Sequence, residues 1–223
     1  MTTLNRTKGA LIFPDYTNAE RAADRAIHFV GVPLGVIAGV VLLIAAALHG
    51  GATLTATIAI YVIGLIGMLV ASAAYQLTPS SLKKERLRRV DRAMIFVMIA
   101  GTYTPFAANV LFGRGGIWLC VTLWTLAAVG IYITLKYPRQ FERAMMGLYL
   151  AMGWMLVVLL HYAFTLLLPV SLALLLAGGI AYTVGAVINS IPRLKFHNPI
   201  WHGLILIAAS CQYEAIWLQL LGK

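Results

Sequence analysis

The sequence predicts an all-α membrane protein, a seven-transmembrane-helix bundle with its N-terminus cytoplasmic and its C-terminus outside. Three observations predict this. Of the 223 residues, 61% are apolar and only 11% are charged, against about a quarter charged in a soluble domain. Apolar runs of about 20 residues recur along the whole length, each enough to cross roughly 30 Å of hydrocarbon as a helix. Helices are the default for such runs, because no water is present there to satisfy a bare backbone. Finally, the basic residues gather in alternate loops.

The predicted helices run over about 26–49, 53–77, 90–112, 116–136, 141–163, 165–188 and 199–221, with boundaries good to a few residues. Gly50-Gly51 separates the first two, and Pro79 with the charged run Lys83-Lys84-Glu85-Arg86 follows the second. Gly113-Arg114-Gly115-Gly116 ends the third and Tyr137-Pro138 the fourth. Pro169 lies near the start of the sixth, and Pro199 fits the first turn of the seventh, where a missing N–H costs little. Residues 1–25 read as a cytoplasmic N-terminal tail and 26–223 as one seven-transmembrane domain. No signal-peptide pattern precedes the first run.

Of the 17 lysines and arginines, all but Arg114 and Lys223 fall on the tail or on the second-to-third, fourth-to-fifth and sixth-to-seventh connections. The positive-inside rule places those segments in the cytoplasm. An even number of spans would destroy the pattern. The net charge of +10 follows from this rule and from anionic headgroups, so nucleic acid is not expected as a partner. The cysteines, Cys120 and Cys211, lie inside apolar runs without metal spacing. Trp118, Trp124, Trp154, Trp201 and Trp217 read as an aromatic belt.

Polar residues within spans are costly and usually face a bundle interior. Ser72 and Gln76 lie i, i+4 at the cytoplasmic end of the second helix, and Asp91 opens the third at the same level. Asn198 and His202 repeat the i, i+4 spacing at the start of the seventh. Glu20, Asp24 and His28 form a stripe leading into the first helix. They read either as part of the polar pocket or as a helix start, with Glu20 and Asp24 pairing Arg21 or Arg25 in solvent. Glu214 lies deep in the last span, where it would pair with Gln212 or Tyr213 or be protonated.

These residues resemble the hemolysin III family, within the progestin and adipoQ receptor superfamily that includes the adiponectin receptors. Glu20-x3-Asp24-x3-His28 is similar to the family's entry into helix 1, and Ser72-x3-Gln76 sits on its Ser-x3-His element. Arg89-Val90-Asp91 followed by Ala100-Gly-Thr-Tyr-Thr-Pro105 is the most specific match. Asn198-x3-His202 sits on a His-x3-His element, and Ser210-Cys-Gln212-Tyr on a closing Ser-x-His-aromatic element. The resemblance implies a zinc site built from one imidazole of helix 2 and two of helix 7, with Ser and Asp assisting a metal-bound water in lipid amide or ester hydrolysis. Here Gln76, Asn198 and Gln212 stand at ligand positions, and amides are poor zinc ligands beside imidazole.

Two readings of the pocket follow. In one, Gln76, Asn198 and Gln212 replace the metal by a hydrogen-bond network, so that no cofactor is bound. In the other, His202 and Asp91, joined by His28 or His197, rebuild an altered zinc site. The expected function is a non-catalytic inner-membrane protein in membrane-lipid homeostasis or signalling, with membrane lipids or a fatty acid as partner. The alternatives are a metal-dependent lipid hydrolase using Ser72 and Asp91, and a channel or cytolytic pore.

Overall fold

The computed structural model describes residues 13–222, and among them every regular element is a helix, with no strand. Eight α-helices follow in order: α1 Asn18–His49, α2 Gly51–Leu77, α3 Leu82–Asn109, α4 Gly116–Lys136, α5 Glu142–Gly153, α6 Leu160–Leu166, α7 Pro169–Asn189 and α8 His197–Leu220. A 3₁₀ turn, Met155–Leu159, joins α5 to α6. Consecutive long helices pack as neighbours from α1 to α4, α7 packs along α8, and α8 returns to α1. Large apolar side chains such as Phe29, Leu34, Ile44 and Trp118 stay exposed on the outside, which suits a lipid surface and not water.

Six segments are long and apolar enough to cross a membrane: α1, α2, α4, α5 with its 3₁₀ extension, α7 and α8. The predicted third span falls short of that apolarity. α3 is 28 residues long, but its first three turns carry Lys83, Lys84, Glu85, Arg86, Arg88, Arg89, Asp91 and Arg92. The rest of α3 holds polar groups that its neighbours use. Gly101 approaches Ile60 of α2 so closely that a Cβ would lie 3.3 Å from its carbonyl oxygen. Thr102 Oγ1 donates to Gln212 of α8 at 3.4 Å, and Thr104 Oγ1 accepts from Trp124 Nε1 of α4 at 3.1 Å. Asn109 Nδ2 donates to Thr57 of α2 at 3.0 Å.

Tyr103 explains why the predicted helix over 141–163 is broken. Its hydroxyl donates to the Gly153 carbonyl at 2.5 Å and accepts from Leu156 N–H at 3.2 Å. Those backbone groups are taken out of the regular helical ladder at a glycine, the residue least committed to helix. The chain then tightens into the 3₁₀ turn, and α7 starts at Pro169 instead of 165. The expected tryptophan belt is correspondingly split: Trp118 is 77% exposed, whereas Trp124 and Trp154 turn their indole N–H groups onto Thr104 and Thr183.

The basic loops are tied together by carboxylates. Glu85 accepts from Arg88 Nη2 at 2.9 Å and from Arg139 Nη2 at 2.8 Å, and Arg88 also pairs with Glu142. This links the start of α3 to the α4–α5 connection. Burial opposes ionisation of Glu85, but the hydrogen bonds and charges of Arg88 and Arg139 outweigh it and hold the carboxyl at about 2, below its ordinary 4.5.

Two outcomes follow. A lowered carboxylate pKa favours the folded state above the unfolded pKa and loses that contribution as pH falls through the folded one. Detergent-solubilised protein should therefore lose thermal stability as pH drops from 4.5 towards about 2, and Glu85→Gln should flatten that part of the profile. Gly101→Val should lower stability by about 1–3 kcal/mol through overpacking against α2, read as a shifted unfolding transition.

Candidate functional site

The site forms where α1, α2, α3 and α8 converge. Thr17 caps α1 in a capping box: its Oγ1 accepts from Glu20 N–H at 3.3 Å while Glu20 Oε2 accepts from Thr17 N–H at 2.8 Å. The other carboxylate oxygen of Glu20 accepts from Phe196 N–H at 2.8 Å. Phe196 adopts a left-handed conformation, φ 60°, just before α8. Glu20 thus pins the start of α8 to the start of α1, and the i, i+4, i+8 spacing turns Asp24 and His28 onto the same contact.

Asp24 is the centre of the polar cluster. Its Oδ1 accepts from His202 Nδ1 at 2.5 Å and from Asn198 Nδ2 at 3.2 Å, while its backbone carbonyl accepts from His28 Nδ1 at 2.8 Å. Ser72 Oγ lies 3.2 Å from His28 Nε2 and 3.5 Å from His202 Nε2. The two imidazoles meet edge to face, centroids 4.7 Å apart. Asp24, His28, Ser72, Asn198 and His202 are all buried. Asp24, His28 and His202 form the one group among the described residues whose ligand atoms, all within 4.8 Å of one another, could hold a metal ion.

Two spaces adjoin the cluster. A small pocket of about 40 Å³ is walled by His28, Ser72, Asp91 and His202, with apolar neighbours such as Ile95 and Leu206. A larger cavity of about 580 Å³ lies beside it. Gln76, Asp91, Arg92, Asn198 and His202 line one part of this cavity, and Met98, Phe106, Leu156, Leu175 and Leu176 line another. Asp91 and His202 belong to both walls.

The sequence-predicted residues are therefore brought together unevenly. Ser72, Asn198 and His202 share the cluster with Asp24 and His28, and Asp91 faces it across the small pocket. Gln76 lines the larger cavity. Gln212 lies ten residues beyond His202 on α8, roughly 15 Å along the axis, and accepts from Thr102. His197 turns away: its Nδ1 donates to Leu194 O at 2.9 Å, and its ring lies against Tyr16. Glu214 is exposed on the outer side of α8, not turned into the bundle. The residues at the positions implied for zinc do not fit that ion as a set. Gln76, Asn198 and Gln212 offer only amides, Asn198 turns its Nδ2 to Asp24, and Gln212 is bound elsewhere.

The sequence left the role of Asp24 open between a helix start and the pocket; the signal was the stripe shared with Glu20 and His28. Tyr103, which shapes the cavity wall by breaking α5, lay within the Ala100–Pro105 string that carries the resemblance, but nothing in its spacing pointed to α5.

The family description Haemolysin-III related matches residues 20–213, which takes in every residue of the cluster. The chain belongs to this family. It is 31% identical to the hemolysin-3 homolog of Bacillus subtilis (strain 168), over 90% of this chain and 94% of that protein. Hemolysin-3 of Bacillus cereus is 30% identical over 91% of this chain and 92% of its own length. The monocyte to macrophage differentiation factor of Homo sapiens is 28% identical over 72% of this chain and 69% of its own, in keeping with the wider receptor superfamily. No solved structure gives a significant match. The Haemolysin-III related chain is thus a membrane protein whose buried polar cluster is centred on Asp24.

Removing the central acceptor should be costly. Asp24→Ala leaves His202 Nδ1 and Asn198 Nδ2 without their partner, and an unsatisfied buried donor costs about 1–3 kcal/mol. A thermal melt in detergent should show the loss, and Asp24→Asn should recover part of it.

Proposed function

We propose that this Haemolysin-III related protein binds a membrane lipid or a fatty acid within its bundle and acts in membrane-lipid homeostasis or signalling without turning the ligand over. The observation that carries this reading is the 580 Å³ cavity with a polar part at Asp91, Arg92 and His202 and an apolar part at Phe106, Leu175 and Leu176. That volume lies within the usual range for small-molecule sites, and such sites pair an apolar body with a few convergent polar groups. An acyl chain suits the apolar part. Arg92 offers a guanidinium for a carboxylate or phosphate.

In this reading α3 is the seventh span. Its charged first turns lie at the cytoplasmic surface, with the N-terminus inside, the C-terminus outside and the protein in the inner membrane. The alternation of basic loops supports that orientation. A tail over 1–25 and a single domain over 26–223 remain our division of the chain, with the first helical turns from Asn18 belonging to the tail side of the interface.

A second reading, lipid amide or ester hydrolysis, is favoured by Ser72 lying between two imidazoles on the wall beside the cavity. A pore is favoured by nothing comparable, since Glu214 points outward.

Native mass spectrometry of the protein released from detergent should show a retained lipid or fatty acid. Leu175→Trp, which fills the cavity, should reduce that adduct about tenfold, the cost of displacing roughly 1.4 kcal/mol of binding. A parent protein that carries no adduct, or an adduct untouched by Leu175→Trp, refutes the cavity as the lipid site. Release of free fatty acid from added lipid amides would favour the hydrolytic reading instead.

A further inference from the structure

We propose that the large cavity holds a second polar station deep in the bundle, built from Thr102, Tyr182 and Gln212, and that this station selects an acyl chain carrying a hydroxyl group in mid-chain. The selectivity rests on the lipid-binding reading and deepens it, since it says which acyl chain the cavity prefers. The residues involved lie away from the cluster around Asp24, and no metal takes part.

Four helices bring polar groups to one level. Thr102 Oγ1 of α3 donates to Gln212 Oε1 of α8 at 3.4 Å. Gly178 of α7 abuts Gln212, since a Cβ there would lie 3.4 Å from Gln212 Cγ. Tyr182 follows Gly178 by one helical turn, on the same face of α7. From α2, Tyr61 packs at this height: a Cβ on Gly101 would lie 3.5 Å from Tyr61 Cα. Thr102, Tyr182 and Gln212 all line the cavity, and Tyr61 is fully buried behind them.

These groups have hydrogen-bonding capacity that the protein leaves unused. The hydroxyls of Tyr182 and Tyr61 are sealed from the outside and meet no partner among the described residues. Gln212 engages its Oε1, while none of the described residues accepts from its Nε2. Unpaired polar groups inside a bundle are costly. A ligand hydroxyl removes that cost, because it can accept from Gln212 Nε2 and exchange a hydrogen bond with the Tyr182 oxygen. A plain methylene at the same point leaves both unpaired. The spacing sets where on the chain the hydroxyl must lie. Asp91 and His202 wall the same small pocket and Thr102 meets Gln212, so α3 and α8 run side by side in one direction. Arg92 to Thr102 and His202 to Gln212 are each a ten-residue step. That step rises about 15 Å, the length of about twelve extended methylene groups. A carboxylate held at Arg92 therefore puts the middle of an acyl chain beside Gln212 and Tyr182.

The test compares three ligands. Full-length protein in detergent, stripped of bound lipid, is titrated with octadecanoic acid and with the same acid hydroxylated at the twelfth or at the third carbon, and binding is read by native mass spectrometry. The twelfth-carbon alcohol should bind about tenfold more tightly than octadecanoic acid, because it satisfies groups otherwise left unpaired. The third-carbon alcohol should gain nothing. Tyr182→Phe and Gln212→Leu should each reduce the advantage and the double variant should abolish it, with octadecanoic acid still bound throughout. If Gln212→Leu fails to fold, Tyr182→Phe, which removes a single oxygen, decides alone. Equal affinity of the parent for all three acids overturns the mid-chain station and leaves the lipid-binding reading standing. An advantage that persists undiminished in Tyr182→Phe and in the double variant also overturns it. Failure of the parent to bind any of the three defeats the lipid-binding reading and the selectivity together.

Discussion

The interior of this bundle hangs on what α3 offers to its neighbours between residues 100 and 104. Gly101 lets α2 approach within contact distance of backbone, Thr102 reaches α8, Tyr103 reaches α5 and Thr104 receives α4. Helices in lipid gain little from burying apolar surface against one another, so close packing and hydrogen bonds decide which faces meet. One short segment supplies both, to four different helices. α3 is the least apolar of the long helices chiefly because of its charged first turns, and the polar groups further along it are turned inward and used.

The same logic governs the polar cluster around Asp24. A carboxylate, two imidazoles, an amide and a hydroxyl are buried together, and each would be expensive alone. Asp24 makes the group tolerable by accepting from His202 and Asn198 with its side chain and from His28 with its backbone. Glu20 sets the geometry one turn earlier by fastening the start of α8 to α1. The arrangement also lends physical sense to Asn198: an imidazole is not needed there when the amide donates to the carboxylate that holds His202.

At the start of α3 and in the α4–α5 connection, charge performs a comparable task. Glu85 sits among Arg88, Arg89 and Arg139, and Glu142 completes the group with Arg88 and Arg92. Basic loops that would repel one another are gathered by two carboxylates. The gathered α3 and α5 starts leave Arg92 at the polar part of the cavity, which links the loop electrostatics to the ligand chemistry proposed for the bundle.

The sequence by itself determined that the chain is helical, that most of its helices are apolar and about one bilayer long, and that it resembles hemolysin III. Those features are local: they depend on composition, on periodicity and on short strings such as Ala100–Pro105. It also marked Ser72, Asp91, Asn198 and His202 as one level of the bundle, because spacing along helices fixes height. Only the tertiary structure decided which faces meet. It made Asp24 the hub, excluded His197 and Gln212 from the cluster, turned Glu214 outward, and let Tyr103 break the fifth apolar run. Each of these depends on the rotation of one helix against another or on a hydrogen bond between residues some 50 or more positions apart, and nothing local to a helix encodes either.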